Sequence, residues 1–99
     1  MSGARDIARL GGEAGWNDQA ARRLLLRAVY RDDPELADII AGEIERAGRP
    51  TPDLGAVLSL AQQAVAAGAR LEDRSLAARF EAQAGAAQRF MADGQAAAK

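Results

Sequence analysis

The chain has ninety-nine residues and a formal net charge of −1, which describes one domain with little room for a second and no general attraction for nucleic acid or an anionic membrane. It contains neither Cys nor His, so a disulfide framework, a thiolate nucleophile and the commonest general base and metal ligand are all excluded. No apolar run approaches the roughly 20 residues of a membrane span and the N-terminus lacks the apolar core of a signal peptide, so the expectation is a soluble, cytoplasmic protein with no cofactor.

The hydrophobic fraction of 48% includes 25 Ala, while Leu, Ile, Val and Phe together number 19. Ala removes little apolar surface from water, so the core is lean for a chain already short of buried area. Association is expected to supply part of what the monomer lacks. Clear periodicity and the small net charge argue against disorder.

Residues 1–16 form an N-terminal segment with room for a short helical turn near 4–10, carrying Ile7 and Leu10 and closed by Gly11 and Gly12. Asn17 stands as an N-cap for a helix over 18–31, in which Ala21, Leu24, Leu25, Ala28 and Val29 share one face. A second face of that helix holds Leu26 and Tyr30 one turn apart, flanked by Arg22, Arg23 and Arg27. Leu, Tyr and Arg together resemble the centre of an interface; the other reading is that the N-terminal segment, with Trp16, folds back over them.

Asp33, Pro34 and Glu35 then stand in the order that caps a helix and suits its dipole. They open a helix over 34–47 in which Leu36, Ile39, Ile40, Ile44 and Ala47 share a face and which ends at Gly48 as a left-handed cap. Thr51, Pro52 and Asp53 repeat the device for a helix over 52–67, with Gly68 as a second left-handed cap. The last helix, 72–93, carries the stripe Leu76, Phe80, Ala84, Ala87 and Met91, and a frayed tail follows over 94–99. No alternating strand pattern or hairpin signal occurs. The expected fold is all-α, a compact bundle of four main antiparallel helices over 17–93.

Charge is distributed in blocks. Residues 1–31 hold six Arg against three acids, and residues 32–48 hold six acids against Arg46. Arg23, Arg27 and Arg31 are therefore expected to be compensated by the acidic helix that follows. Glu43 falls inside an apolar arc and is expected to reach an Arg or to lie at the edge of the stripe. Alone, it makes no catalytic constellation. Asp32, Asp33, Glu35 and Asp38 lack the Gly-turn spacing of a calcium loop and read better as helix-start residues.

Between Asp53 and Arg70 there is no charged side chain. Leu54, Val57, Leu58, Ala61 and Val65 make one face, while Ala56, Leu60, Ala64 and Ala67 extend the apolar arc beyond the usual stripe. Such a helix is either wrapped by its own neighbours or covered on one side by another subunit. The expected function is a non-catalytic protein-protein interaction module: an adaptor, assembly factor or small subunit. It binds a protein partner or itself through Ala56, Leu60, Gln63 and Ala67, together with Leu26, Tyr30, Arg23 and Arg27. The alternative is a dimeric helix-turn-helix DNA binder, with residues 68–80 as turn and reading helix and Arg70, Arg74 and Arg79 on phosphates. The acidic balance and Glu72, Asp73 and Glu81 on that helix oppose it. Helix pairs recur at about 35 residues, as in tetratricopeptide repeats, but Arg23, Arg27 and Glu43 then fall where that repeat wants apolar residues.

Overall fold

A computed structural model describes residues 15–98, with side chains through residue 93, and the described chain is all-helical with no strand. The short turn expected near 4–10, with Ile7 and Leu10, lies outside the described residues. The first described feature is Gly15, whose φ of 85° lets the chain reverse, so that the Asp18 N–H donates to the Gly15 carbonyl at 3.1 Å. Helix α1 (Gln19–Val29) follows, capped by Asp18, whose carboxylate accepts from the Ala21 N–H at 2.9 Å. Asn17 is therefore not the cap: its side-chain oxygen instead accepts from the Thr51 N–H at 2.8 Å.

Helix α2 (Pro34–Ala47) starts and stops as its punctuation implies. Asp33 accepts from the Leu36 N–H, Pro34 opens the first turn, and Gly48 closes it at φ 63°. Helix α3 (Leu54–Gly68) is capped by Asp53, which accepts from Ala56, and not by Thr51. Gly68 is not a left-handed cap either. It remains the last residue of α3 and lies against the Phe80 ring, where an added Cβ would stand 2.5 Å from the nearest ring carbon. Glycine is required there for close approach and not for a positive φ.

The single helix expected over 72–93 is interrupted. Asp73 caps α4 (Arg74–Ala82), residues 83–85 form a turn, and α5 (Ala86–Ala98) resumes beyond it. Through the turn the backbone bonds tighten to i→i−3, as in Gln83 to Phe80, Ala84 to Glu81 and Ala86 to Gln83. The break re-phases the apolar stripe: Phe80, Ala86 and Ala87 are buried, whereas Ala84 and Met91 are exposed. Helix α5 continues past Gly94 to Ala98, beyond the start of the frayed tail that was expected.

Helix α1 packs mainly on α2, α2 on α3, and α3 on α4, while α5 returns against α1 and α3. The most deeply buried large side chains are Leu25, Leu26, Tyr30, Leu36, Ile40 and Val57. Leu24, expected on the core face of α1, is 48% exposed and lies outside that core. Near Gly15 the core is closed by a polar knot. Arg22, read as one of the basic residues flanking an exposed face, is buried, and one guanidinium nitrogen donates to the carbonyls of Trp16 and Asn17 and to the Thr51 hydroxyl. That hydroxyl donates in turn to the Trp16 carbonyl. One charged side chain thus satisfies the loop carbonyls before α1 and ties them to the loop before α3, because buried carbonyls need donors.

Candidate functional site

The residues singled out on α1 do not assemble into a surface. Leu26 is fully buried and Tyr30 is 1% exposed. Neither has area to offer a partner, which corrects their assignment to one. Burial also pushes the Tyr30 phenol up to about 12.

Arg23 and Arg27 lie at the surface of α1 but face α2. Arg23 makes two hydrogen bonds of 3.0 Å to Glu45, and Arg27 makes bonds of 3.1 and 2.9 Å to Asp38. The Arg27 guanidinium holds the Asp38 carboxyl below its ordinary value. For Arg23 and Arg27 this is the compensation between neighbouring helices that the charge blocks imply, while Arg31 makes no ion pair among the described residues; such surface pairs stabilise a fold little. Glu43 is exposed and bonds Arg46 one turn on, at 2.7 Å.

On α3 the outcome differs. Leu60, Gln63 and Ala64 face Glu43, Ile44, Ala47 and Arg49 across an open groove of about 340 Å³ between α2 and α3. Ala67 lines an adjoining depression of about 200 Å³ with Ile39, Gly68, Leu71, Leu76 and Phe80. Glu43 and Ala64 border both, so the two hollows form one continuous trough. Ala56 lines neither. On the opposite flank of α3, Leu58, Ser59 and Gln62 meet Ala87 and Met91 around a shallower hollow of about 390 Å³. The charge-free helix is therefore covered on its Val57, Leu58, Ala61 and Val65 face and left partly open along both edges.

A contact that the sequence did not signal joins residues 46 positions apart. Arg79 of α4 makes two short bonds, 2.8 and 2.7 Å, to the carboxylate of Asp33, the residue that caps α2. Glu35 stands 3.6 Å from the same guanidinium. The hydrogen bonds from Arg79 hold the Asp33 carboxyl below its ordinary value. A carboxyl depressed in the folded state contributes stability that is present above its unfolded value, near 3.9, and is lost as pH falls through the folded one. Asp33→Asn keeps a capping oxygen and is expected to flatten the loss of stability below about pH 4, read by urea denaturation at stepped pH. Asp33→Ala also removes the cap and is expected to cost about 0.5–2 kcal/mol more than Asp33→Asn.

With Arg79 engaged, one of the three arginines proposed for phosphate contact is already committed to carboxylates. The acids once considered for a cation behave similarly: Asp33, Glu35 and Asp38 each face an Arg. Among the described residues no group of three or more metal-donor side chains converges. No described helix is long and apolar enough to cross a membrane. The trough combines apolar walls (Ile39, Ile44, Leu60, Leu76 and Phe80 among them) with Glu43, Arg49 and Gln63. No protein-family model, curated protein or solved structure matches this chain.

Proposed function

We propose that this chain is a non-catalytic helical interaction module, an adaptor, assembly factor or small subunit, that self-associates through the trough between α2 and α3. The observation that carries the reading is the incomplete cover of α3. Half-buried Leu60 and Ala64 and exposed Ala67 line open space although no charged residue stands on the helix. A short loop joins α1 to α2, and Arg27 pairs with Asp38 while Arg23 pairs with Glu45. That order of pairs supports an antiparallel succession, in which the edges of α3 stay accessible. In this reading the protein is soluble in the cytoplasm and needs no cofactor. The nucleic-acid alternative is weakened by the commitment of Arg79 to Asp33.

The test is sedimentation velocity over a wide concentration range. The wild-type mass is expected to rise from 10.4 kDa toward a multiple of it as concentration increases. Ala67→Glu, at an exposed helical position, and Leu60→Asp, nearer the centre, are expected to shift the distribution back toward monomer. Both variants should keep wild-type helicity by circular dichroism. A wild type that stays monomeric at every concentration overturns the proposal.

A further inference from the structure

Proteins that self-associate through one surface patch do so most often about a two-fold axis, and the patch must then be complementary to itself. The trough can be examined for that property. Its charged lining residues are Glu43 and Arg49, opposite in sign, six positions apart and on either side of Ile44 and Ala47. The wall contributed by α3 is neutral, formed by Leu60, Gln63 and Ala64. Arg49 has no carboxylate within 4.0 Å among the described residues, and Glu43 has Arg46 alone. The Glu43 carboxylate can accept from a second donor, since two oxygens offer about four acceptor sites.

From this arrangement we infer that the occupant of the trough is a second copy of this chain, placed by a two-fold axis between Glu43 and Arg49, so that Glu43 of each copy meets Arg49 of the partner subunit. The inference rests on the self-association proposed above and adds its geometry. Rotation by a half-turn about such an axis exchanges the positions of the two charges, which makes both contacts attractive at once. A copy laid in the same direction sets Glu43 against Glu43 and Arg49 against Arg49, two like-charge contacts that disfavour it. At the axis the walls are small or aliphatic. Ala64 permits close approach of the two α3 helices, and Leu60 supplies apolar area to bury. The half-exposed Leu71 in the adjoining depression extends the apolar patch beyond Glu43.

Charge reversal tests this directly. The dimer dissociation constants of wild type, Glu43→Arg, Arg49→Glu and the double reversal are measured by sedimentation equilibrium, with helicity confirmed by circular dichroism. Each single reversal is expected to weaken the dimer at least about tenfold, and the double reversal to return it to within about threefold of wild type. Arg46→Ala, which removes only the partner of Glu43 within the chain, is expected to leave the constant unchanged or slightly tighter. The chain has no cysteine, so Ala64→Cys provides a unique cross-linking site, expected to give a disulfide-linked dimer on mild oxidation. Single reversals with the wild-type constant, or a double reversal no better than the weaker single, overturn the two-fold placement while leaving self-association standing. A monomeric wild type overturns both.

Discussion

Replacing Tyr30 by alanine is expected to cost about 3–5 kcal/mol, the range for deleting a large buried aromatic side chain. A domain of this size is stable by roughly 5–15 kcal/mol in total, so the variant is expected to be partly unfolded in mild urea or at moderately raised temperature. Tyr30 is 1% exposed among Leu25, Leu26 and Val29 of its own helix and the packed residues of α2. Truncation therefore opens a cavity that the surrounding helices cannot close without moving. Tyr30→Phe keeps the ring and is expected to cost less than about 1.5 kcal/mol. Urea unfolding at one fixed protein concentration checks both, followed by circular dichroism and by the fluorescence of Trp16, the chain's single tryptophan and itself buried. The same pair of variants separates a core residue from a docking residue. If Tyr30 were a surface anchor, Tyr30→Ala would leave stability within about 0.5 kcal/mol and weaken association instead.

The second large effect is expected at Gly68. Alanine in place of glycine within a helix ordinarily stabilises by about 0.5–1 kcal/mol. Here the new Cβ would lie within 2.6 Å of three ring carbons of Phe80, a ring that is itself only 2% exposed. The ring cannot swing aside into solvent, so overpacking of about 1–3 kcal/mol outweighs the helical gain. Gly68→Leu is expected to be worse. Shrinking the opposing side chain removes the conflict: in a Phe80→Leu background Gly68→Ala is expected to cost less than it does alone, a coupling that a double-mutant cycle reads out. An equal cost in both backgrounds would show that the close approach is not what makes glycine necessary.

The ease of reading this chain follows the range of the interactions involved. Asp33, Pro34, Glu35 and Gly48 act on backbone groups within a turn of themselves, so the limits of α2 could be read from neighbours along the chain. Arg23 and Arg27 find Glu45 and Asp38 across a short loop, and the alternation of charge blocks was enough to anticipate that. The width of the apolar arc on α3 was legible for a related reason, the next charges standing at Asp53 and Arg70, but which of its edges the neighbouring helices leave open was not.

Errors arose where two residues of suitable chemistry competed for one role, or where contact was distant in sequence. Asn17 and Asp18 are both good caps, as are Thr51 and Asp53. The choice fell to Asp18 and Asp53 because Asn17 and Thr51 are used against each other, across 34 positions. Leu24 and Leu26 are adjacent to Leu25 on either side, and the helical wheel alone does not say which neighbour turns inward. Packing buries Leu26 on the side of α1 that turns toward α2 with Arg23 and Arg27, and leaves Leu24 half-exposed. The turn at residues 83–85 is a tertiary feature too: a straight helix would keep Ala84 on the stripe of Phe80 and Ala87, whereas the break exposes Ala84 and turns Ala86 inward.

What the amino-acid sequence determined by itself is the all-helical character, the start of each helix up to α4 to within about two residues, and a charge-free third helix with a wide apolar arc. These depend on hydrogen bonds and side-chain periodicity a few residues in range. What the tertiary structure alone decided is which second faces are buried, that Arg22 and Thr51 close the core near Gly15, that Arg79 clamps the cap of α2, and where the trough opens. Those outcomes depend on pairs tens of residues apart, whose meeting is set by how whole helices pack.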